Sequence, residues 1–342
     1  MRKLPTIPQH FRAHGYATAA VGKVTHRAVP EIWGQLVRRV ADPPASSPDV
    51  FEGGNFEWGQ TALELEQMPD FACVRSAESI LSNRPSGKPL FLSVGLFKPH
   101  LPWHLPSSLL DRFPESEVQL PLSLERDAED LPAAASLLPD STTRFHEKIV
   151  SRGLWRSAVR HYLAATALAD EALGALLQLI EQHLGPEAIV VVWSDHGWHL
   201  GEKMRWRKFT LWEDATRVPL VIKPSSSAPH QAQKISQPVG LIDLFKTLSS
   251  LAGLTPPLCD GVDLNESIRD GQALHRRPPV VTSWGCHNHA LRSKDHRYIR
   301  YADGSEELYD HRIDPHEWHN VATGQPELVA AYADQLERLL RS

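Results

Sequence analysis

The sequence predicts an α/β fold in which a mostly parallel sheet is flanked by helices and followed by a smaller C-terminal antiparallel sheet and helix. Three observations carry this. Pro89–Gly95 (PLFLSVG) is a continuous apolar run of strand length, the pattern of a strand buried on both faces of a parallel sheet, and Ala188–Trp193 reads as a further strand after the Gly185-Pro186 turn. Helical and strand segments alternate as far as Leu251. From Arg276 the alternation gives way to short strands separated by turns.

The elements follow in order. Ile7–His14 reads as a helix ended by Gly15, and Tyr16–Val21 (YATAAV) as a short buried strand. Ala41–Gly59, rich in Pro, Gly and Asp, reads as a loop or insertion. Asp70–Leu81 is a helix, Ser82–Lys88 a turn and Pro89–Gly95 the strand already noted; a long Pro-punctuated loop covers Lys98–Pro139. Across His146–Leu184, Tyr162, Ala165, Thr166, Ala169, Leu173, Leu176, Leu177 and Ile180 recur at helical spacing as an apolar stripe. A second strand at Val218–Ile222 precedes a serine-rich turn at Ser225–Ser227, and Gly240–Leu251 is a helix. The C-terminal strands are Val280–Trp284, Ala290–Arg292, Tyr298–Tyr301 and Glu307–Tyr309, closed by a helix over Glu327–Leu340.

With 342 residues, 42% hydrophobic and 23% charged, the chain has enough apolar material for one large α/β domain or two smaller ones. The net charge of -5 is unsegregated, which argues against a nucleic-acid partner or a polybasic membrane surface. No apolar run approaches the ~20 residues of a membrane helix. Cys73, Cys259 and Cys286 show no ligand-type spacing, so neither a disulfide framework nor a structural zinc site is expected, and one bridge at most. Met1–Phe11 is basic at its start but lacks the apolar stretch of a signal peptide.

The chemistry concentrates at strand ends. Ser194-Asp195-His196-Gly197 follows the strand IVVVW, where open α/β sheets bind their ligands. A carboxylate and an imidazole there, before a glycine that permits an unusual turn, are placed to hold a metal; a turn cap and a satisfied loop histidine are the plainer alternative. Lys203, Arg205, Arg207 and Lys208 follow on a short loop. Cations beside a metal-type pair suit a dianionic group and its leaving oxygen, and of the four only Lys208 is read as catalytic, the rest as solvated surface. Gly22-Lys23-Val24-Thr25-His26 follows YATAAV, and Lys98-Pro99-His100 follows PLFLSVG, each again putting a lysine and a histidine at a strand's carboxyl end. Such groups suit sulfate or phosphate oxygens, with one histidine as general acid.

These segments resemble the sulfatases of the alkaline phosphatase superfamily, nearest the iduronate-2-sulfatase branch. The stretches that carry the resemblance are HFRAHGYATAAVGKVTH (His10–His26), FLSVGLFKPHLPWHLP (Phe91–Pro106), WSDHGWHLGEKMRWRKFTLWEDATRVPLVI (Trp193–Ile222) and ELYDHRIDPHEWHNVA (Glu307–Ala322). The resemblance implies an alkaline-phosphatase-like sheet and a sulfuric ester hydrolase that removes sulfate from a sulfated saccharide. It implies that Asp195 and His196 ligate Ca2+, although calcium favours oxygen donors. It further implies that Lys23 and His26 orient the nucleophile, and that His100 and Lys208 hold sulfate oxygens and help the ester oxygen leave. Lys98, Trp103 and His104 are the substrate-binding candidates, with core packing an equal reading for Trp103. Export to the periplasm or medium is the family's usual localisation.

The chain departs from that family at the nucleophile. Sulfatases convert the cysteine of C-x-P-S-R or C-x-A-x-R to formylglycine, whereas the three cysteines here stand in CVRSA, CDGVD and CHNHA. A paired aspartate on a first strand is also absent. The expectation is a truncated catalytic domain over residues 1–275, its first strand or strands missing and a separately encoded N-terminal portion a possible partner, with a subdomain over 276–342. The alternatives are an inactive remnant, a sulfated-glycan-binding protein, and a phosphate or phosphonate ester hydrolase of the same superfamily. A sheet lacking a strand exposes an edge, which invites aggregation.

Overall fold

The computed structural model describes residues 5–46, 48–51, 56–139, 143–228, 232–275 and 277–341. The basic start at residues 1–4, residues 47 and 52–55 of the loop expected over 41–59, and position 276 of the expected boundary lie outside the described residues. Contacts group the chain into two units, Met1–Leu120 with Trp155–Ala188, and Pro121–Leu154 with Ile189–Ser342. This division differs from the 275/276 boundary read from strand character.

In the first unit, α1 (Ile7–Ala13) starts at a capping box: Gln9 N donates to the Thr6 hydroxyl, and Thr6 N donates to the Gln9 side chain. Strands β1 (Ala17–Gly22), β2 (Gln35–Val37) and β5 (Leu90–Gly95) form a parallel sheet in the order β2-β1-β5. Ala19, Val21, Cys73 and Ile80 pack between β1 and α2 (Pro69–Ser82). The stretch expected to be a loop contains β3 (Asp49–Phe51) and β4 (Phe56–Thr61), and β4 pairs with β6 (Trp103–Pro106). Phe56 and Trp58 are fully buried there, so burial of large aromatic rings overrides the surrounding glycine and proline. α3 (Ser107–Leu110) follows β6.

The long helical pattern is realised as two helices, α4 (Arg144–Ser151) and α5 (Trp155–Leu184), interrupted at Arg152-Gly153-Leu154. By length and composition alone α5 is apolar enough to cross a membrane, contrary to expectation. Its alanine face, including Ala158, Ala164, Ala165 and Ala172, is buried, with α2 and β6 packed beside the helix.

Two glycines fix how β1 and β5 end. Gly22 and Gly95 are in register, and Lys23 N donates to Gly95 O at 2.9 Å. A Cβ on Gly95 would lie 2.2 Å from Lys23 O; one on Gly22, where φ is +77°, would lie 2.3 Å from Gly95 O. Backbone meets backbone here, so no flexible side chain can yield.

In the second unit, β7 (Val190–Trp193) pairs antiparallel with β10 (Leu220–Lys223). Between them run a short hairpin, β8 (His199–Leu200) and β9 (Trp206–Arg207), and the single turn α6 (Glu213–Thr216). Helices α7 (Leu244–Leu251) and α8 (Asn265–Asp270) lead to the antiparallel sheet of β11 (Val280–Trp284), β12 (Asn288–Arg292), β13 (His296–Arg300) and β14 (Glu306–Asp310), closed by α9 (Pro326–Arg341). Strand alternation sorts this sheet's residues by face. Leu291, Tyr298 and Leu308 pack on Val329 and Leu336 of α9. Ala290, Ile299, Tyr301 and Tyr309 pack on Ala134, Ala135, Leu211 and Trp212.

A buried ion cluster ties this sheet to the loop before β10. Glu317 is 1% exposed; its Oε1 accepts from Arg297 Nε at 2.5 Å and from His311 Nε2 at 2.8 Å, and its Oε2 from Glu213 N at 2.9 Å. Arg297 also donates to Leu211 O at 2.9 Å and to Glu213 Oε2, which Arg292 reaches at 3.0 Å. Burial alone would raise the Glu317 carboxyl, but Arg297 and His311 hold it at about 2.

Three outcomes follow. Gly95→Ala should destabilise the fold by more than ~2 kcal/mol in urea melts, because the added methyl meets a main chain. Glu317 has a folded pKa below its unfolded value, so its stabilisation is full above about pH 4.5 and is lost as pH falls toward 2. Glu317→Gln should therefore lower the urea midpoint at pH 7 and flatten its dependence on pH below 4.5. Finally, β5 pairs only with β1 among the described residues, and its apolar residues are only half-buried. Light scattering should detect self-association of the isolated chain, and a monomer with a sharp cooperative melt would contradict this.

Candidate active site

In the first unit, the register of Gly22 with Gly95 sends GKVTH and KPH out of the same end of adjacent parallel strands. Lys23 and His26 are both exposed there, and Lys23 Nζ reaches His26 O at 3.4 Å. His100 is half-buried, and its ring packs 4.8 Å from that of Phe97. Its Nδ1 lies 2.7 Å from Leu101 O; as a carbonyl only accepts, Nδ1 carries a proton and Nε2 is the basic nitrogen.

The three substrate-binding candidates, Lys98, Trp103 and His104, are buried. Lys98 is 5% exposed, and its ammonium donates to Asp42 Oδ1 at 2.9 Å and to Pro102 O at 2.5 Å. Burial pushes that amine down, against the pull of Asp42. Asp70, in the first turn of α2, accepts from Phe97 N at 2.7 Å and Lys98 N at 3.0 Å, so the lysine is a strut of the loop after β5. Trp103 is fully buried among Phe56, Trp58 and Tyr162, with its indole N–H on Pro99 O at 2.7 Å. His104, 5% exposed, has Nδ1 2.7 Å from Pro43 O and Nε2 3.3 Å from Glu57 Oε1. Sequence could not separate these from the strand-end cations, because their partners lie far along the chain.

In the second unit, Asp195 and His196 follow β7. His196 Nδ1 donates to Gly197 O at 2.9 Å, which makes Nε2 the lone-pair nitrogen. That nitrogen is 3.7 Å from Asp195 Oδ1 and 2.8 Å from Lys208 Nζ, which donates to it. Burial lowers the imidazole pKa, favouring the neutral ring. The Asp195 side chain is 77% exposed, so its carboxylate is open to a ligand. Gly197 seats the turn: a Cβ there would fall 1.9 Å from Asp214 O, and its N donates to Ala215 O at 2.8 Å. Asp195, His196 and Lys208, read from one stretch of sequence as a metal-type pair beside a cation, come together, with Asp195 and Lys208 each within hydrogen-bond or ion-pair distance of His196.

The cationic loop beyond is not the solvated surface expected. Lys203 and Arg205 are almost completely buried. Lys203 donates to Asp127 Oδ1 at 3.3 Å and to Glu317 O, and Arg205 lies over the Trp212 ring. Arg207 and Lys208 are half-buried.

Two donor groups were not foreseen. Glu213, His311 and Glu317 converge, but arginines already engage both carboxylates. His199, Glu202 and Asp214 also converge, and burial followed by the charge of Asp214 pushes the Glu202 carboxyl up to about 7. The approach of His199 and Glu202 to Asp214 depends on the hairpin's fold, which no local pattern signals.

None of the three cysteines stands in the formylglycine motif. Cys73 is buried, and burial pushes its thiol up to about 11. All three are unbridged.

Comparison with known proteins places this geometry. The Sulfatase family model matches residues 1–254. A sulfatase of Formosa agariphila is 30% identical, covering 92% of this chain and 65% of its own length. Iduronate 2-sulfatase of Mus musculus is 28% identical, covering 79% of this chain and 58% of its own length. The chain thus spans about three-fifths of the length of these curated relatives. In fold it is similar to the phosphonate monoester hydrolase of Agrobacterium radiobacter, with TM-score 0.81, 16% identity and coverage of 100% of this chain and 81% of the other. It is likewise similar to BT4656, solved with its substrate D-glucosamine-2-N,6-O-disulfate, with TM-score 0.73, 19% identity and coverage of 98% and 81%. The fold is alkaline-phosphatase-like, and the chain belongs to the sulfatase family.

Proposed function

We propose that this chain carries the oxyanion-binding part of a sulfuric ester hydrolase of iduronate-2-sulfatase type, acting on a sulfated saccharide. The observation that carries this reading is the Asp195–His196–Lys208 constellation: an exposed carboxylate, and a neutral imidazole whose Nε2 lone pair accepts from an ammonium at 2.8 Å. The family uses a divalent metal. Asp195 and His196 fit such an ion as a partial donor set, with Ca2+ the family's implied ion; calcium would need further oxygen ligands from elsewhere. Such an ion would supply charge neutralisation at the sulfate oxygens.

The chain's own groups divide the remaining work. Lys208 binds a sulfate oxygen and offsets its charge. Protonated His100, anchored through Nδ1 to Leu101 O, donates its Nε2 proton to the departing ester oxygen. Lys23 and His26 orient the attacking group. No cysteine of these 342 residues fits the formylglycine motif, so the reading requires a nucleophile from polypeptide outside them. The iduronate 2-sulfatase relatives support the sulfated-saccharide substrate class.

The test uses the polypeptide of the complete reading frame, assayed with a sulfate ester and the matched phosphonate monoester. The expected result is a higher kcat/KM for the sulfate, lowered on the order of 10²-fold by Lys208→Ala. Preference for the phosphonate ester would transfer the reading to a phosphonate hydrolase. Binding of a sulfated disaccharide with no turnover of either ester would make the protein a glycan binder.

A further inference from the structure

The hairpin beyond Gly197 carries donors that sulfate-ester hydrolysis does not use. His199, at the start of β8, is fully buried. Its Nε2 lies 2.7 Å from Thr210 Oγ1, while Nδ1 has no hydrogen-bond partner among the described residues and stands 4.0 Å from Asp214 Oδ2. Oε2 of Glu202 accepts from Leu200 N at 2.6 Å. One ligand atom each from His199, Glu202 and Asp214 lie within 4.8 Å of one another.

We infer that His199, Glu202 and Asp214 form a binding site for a first-row divalent cation of the zinc or manganese class, distinct from the Asp195–His196 pair. A buried imidazole nitrogen without a partner is costly, and two carboxylates brought to the same point repel one another. A cation at their focus relieves both. One nitrogen and two carboxylate oxygens match zinc and manganese, whereas calcium prefers an all-oxygen set. Thr210 provides the usual outer support: its hydroxyl oxygen accepts the Nε2 proton and leaves the lone pair on Nδ1. The Asp214 side chain, 49% exposed, gives an ion access from solvent. Glu213, His311 and Glu317 do not make an equivalent site, because arginine N–H groups already satisfy their carboxylates. This inference stands apart from the ester-hydrolysis reading.

The experiment strips the full chain with a chelator and titrates it with Zn2+ by calorimetry and with Co2+ by visible absorption. It is done in an Asp195→Asn/His196→Gln background, so that the neighbouring pair contributes nothing. The expected result is one Zn2+ per chain and ligand-field bands characteristic of mixed nitrogen and oxygen coordination. Asp214→Asn, at a half-exposed position that the fold tolerates, should abolish the Co2+ bands and weaken Zn2+ on the order of a hundredfold. Thr210→Val should weaken Zn2+ about tenfold by releasing the ring. His199→Gln should behave as Asp214→Asn does if its circular dichroism is unchanged. Loss of all stoichiometric binding in the background variant, or Zn2+ affinity and Co2+ bands unaltered by Asp214→Asn, would overturn the inference.

Discussion

Glu317 is the constraint on which the second unit depends. A fully buried carboxylate is tolerable only with its oxygens saturated, and Arg297, His311 and Glu213 N do this together. Each donor comes from a different element: the start of β13, the turn after β14, and the start of α6. Breaking any one strands charge in the interior, so the cluster holds the C-terminal sheet and α6 in one arrangement. Its consequence for the site is direct, since Ala215 in α6 accepts the hydrogen bond from Gly197, the residue after Asp195-His196.

A second buried carboxylate repeats the device. Glu307 accepts from Tyr301 and Tyr309 hydroxyls at 2.6 Å each and from Trp212 Nε1 at 2.7 Å. Burial raises its pKa, and its three partners are neutral donors, so it is held by hydrogen bonds rather than ion pairs. Trp212 immediately precedes α6. Two buried acids of the C-terminal segment, one ion-paired and one hydrogen-bonded, therefore clamp successive residues of one loop. Lys203 adds a third tie through Glu317 O and Asp127.

This explains what was legible in the sequence. The apolar runs at residues 89–95 and 188–193 hold strands because their pattern is local; the Asp-His pair stood out by its place after a strand, and Lys208 by the cationic loop beside that pair. Lys98, Lys203 and Arg205 were not, because a lysine's burial is decided by partners remote in sequence. Asp127 is 76 residues from Lys203, and Glu317 is 114. β4 was hidden for a related reason: Phe56-Glu57-Trp58 is a short alternation within a glycine-rich stretch, and its pairing with β6 is what makes it a strand. The break between α4 and α5 lies in Arg152-Gly153, where a helical stripe on either side masks a single left-handed glycine.

The two candidate cation sets on the loop are mechanically joined. Asp214 lies between Glu213, fixed by Arg292 and Arg297, and Ala215, bonded to Gly197. A charge that draws in Asp214 therefore acts on a residue whose neighbours are pinned on both sides. The hairpin carrying His199 and Glu202 is tied in turn through buried Lys203 to Asp127 and Glu317 O, and there Lys203 and Met204 hold positive φ of 49° and 55°. Lys208 leaves the far side of that hairpin toward His196 Nε2. Hairpin geometry thus sets where the ammonium meets the imidazole lone pair, a nitrogen that can serve a proton donor or a metal but not both at once.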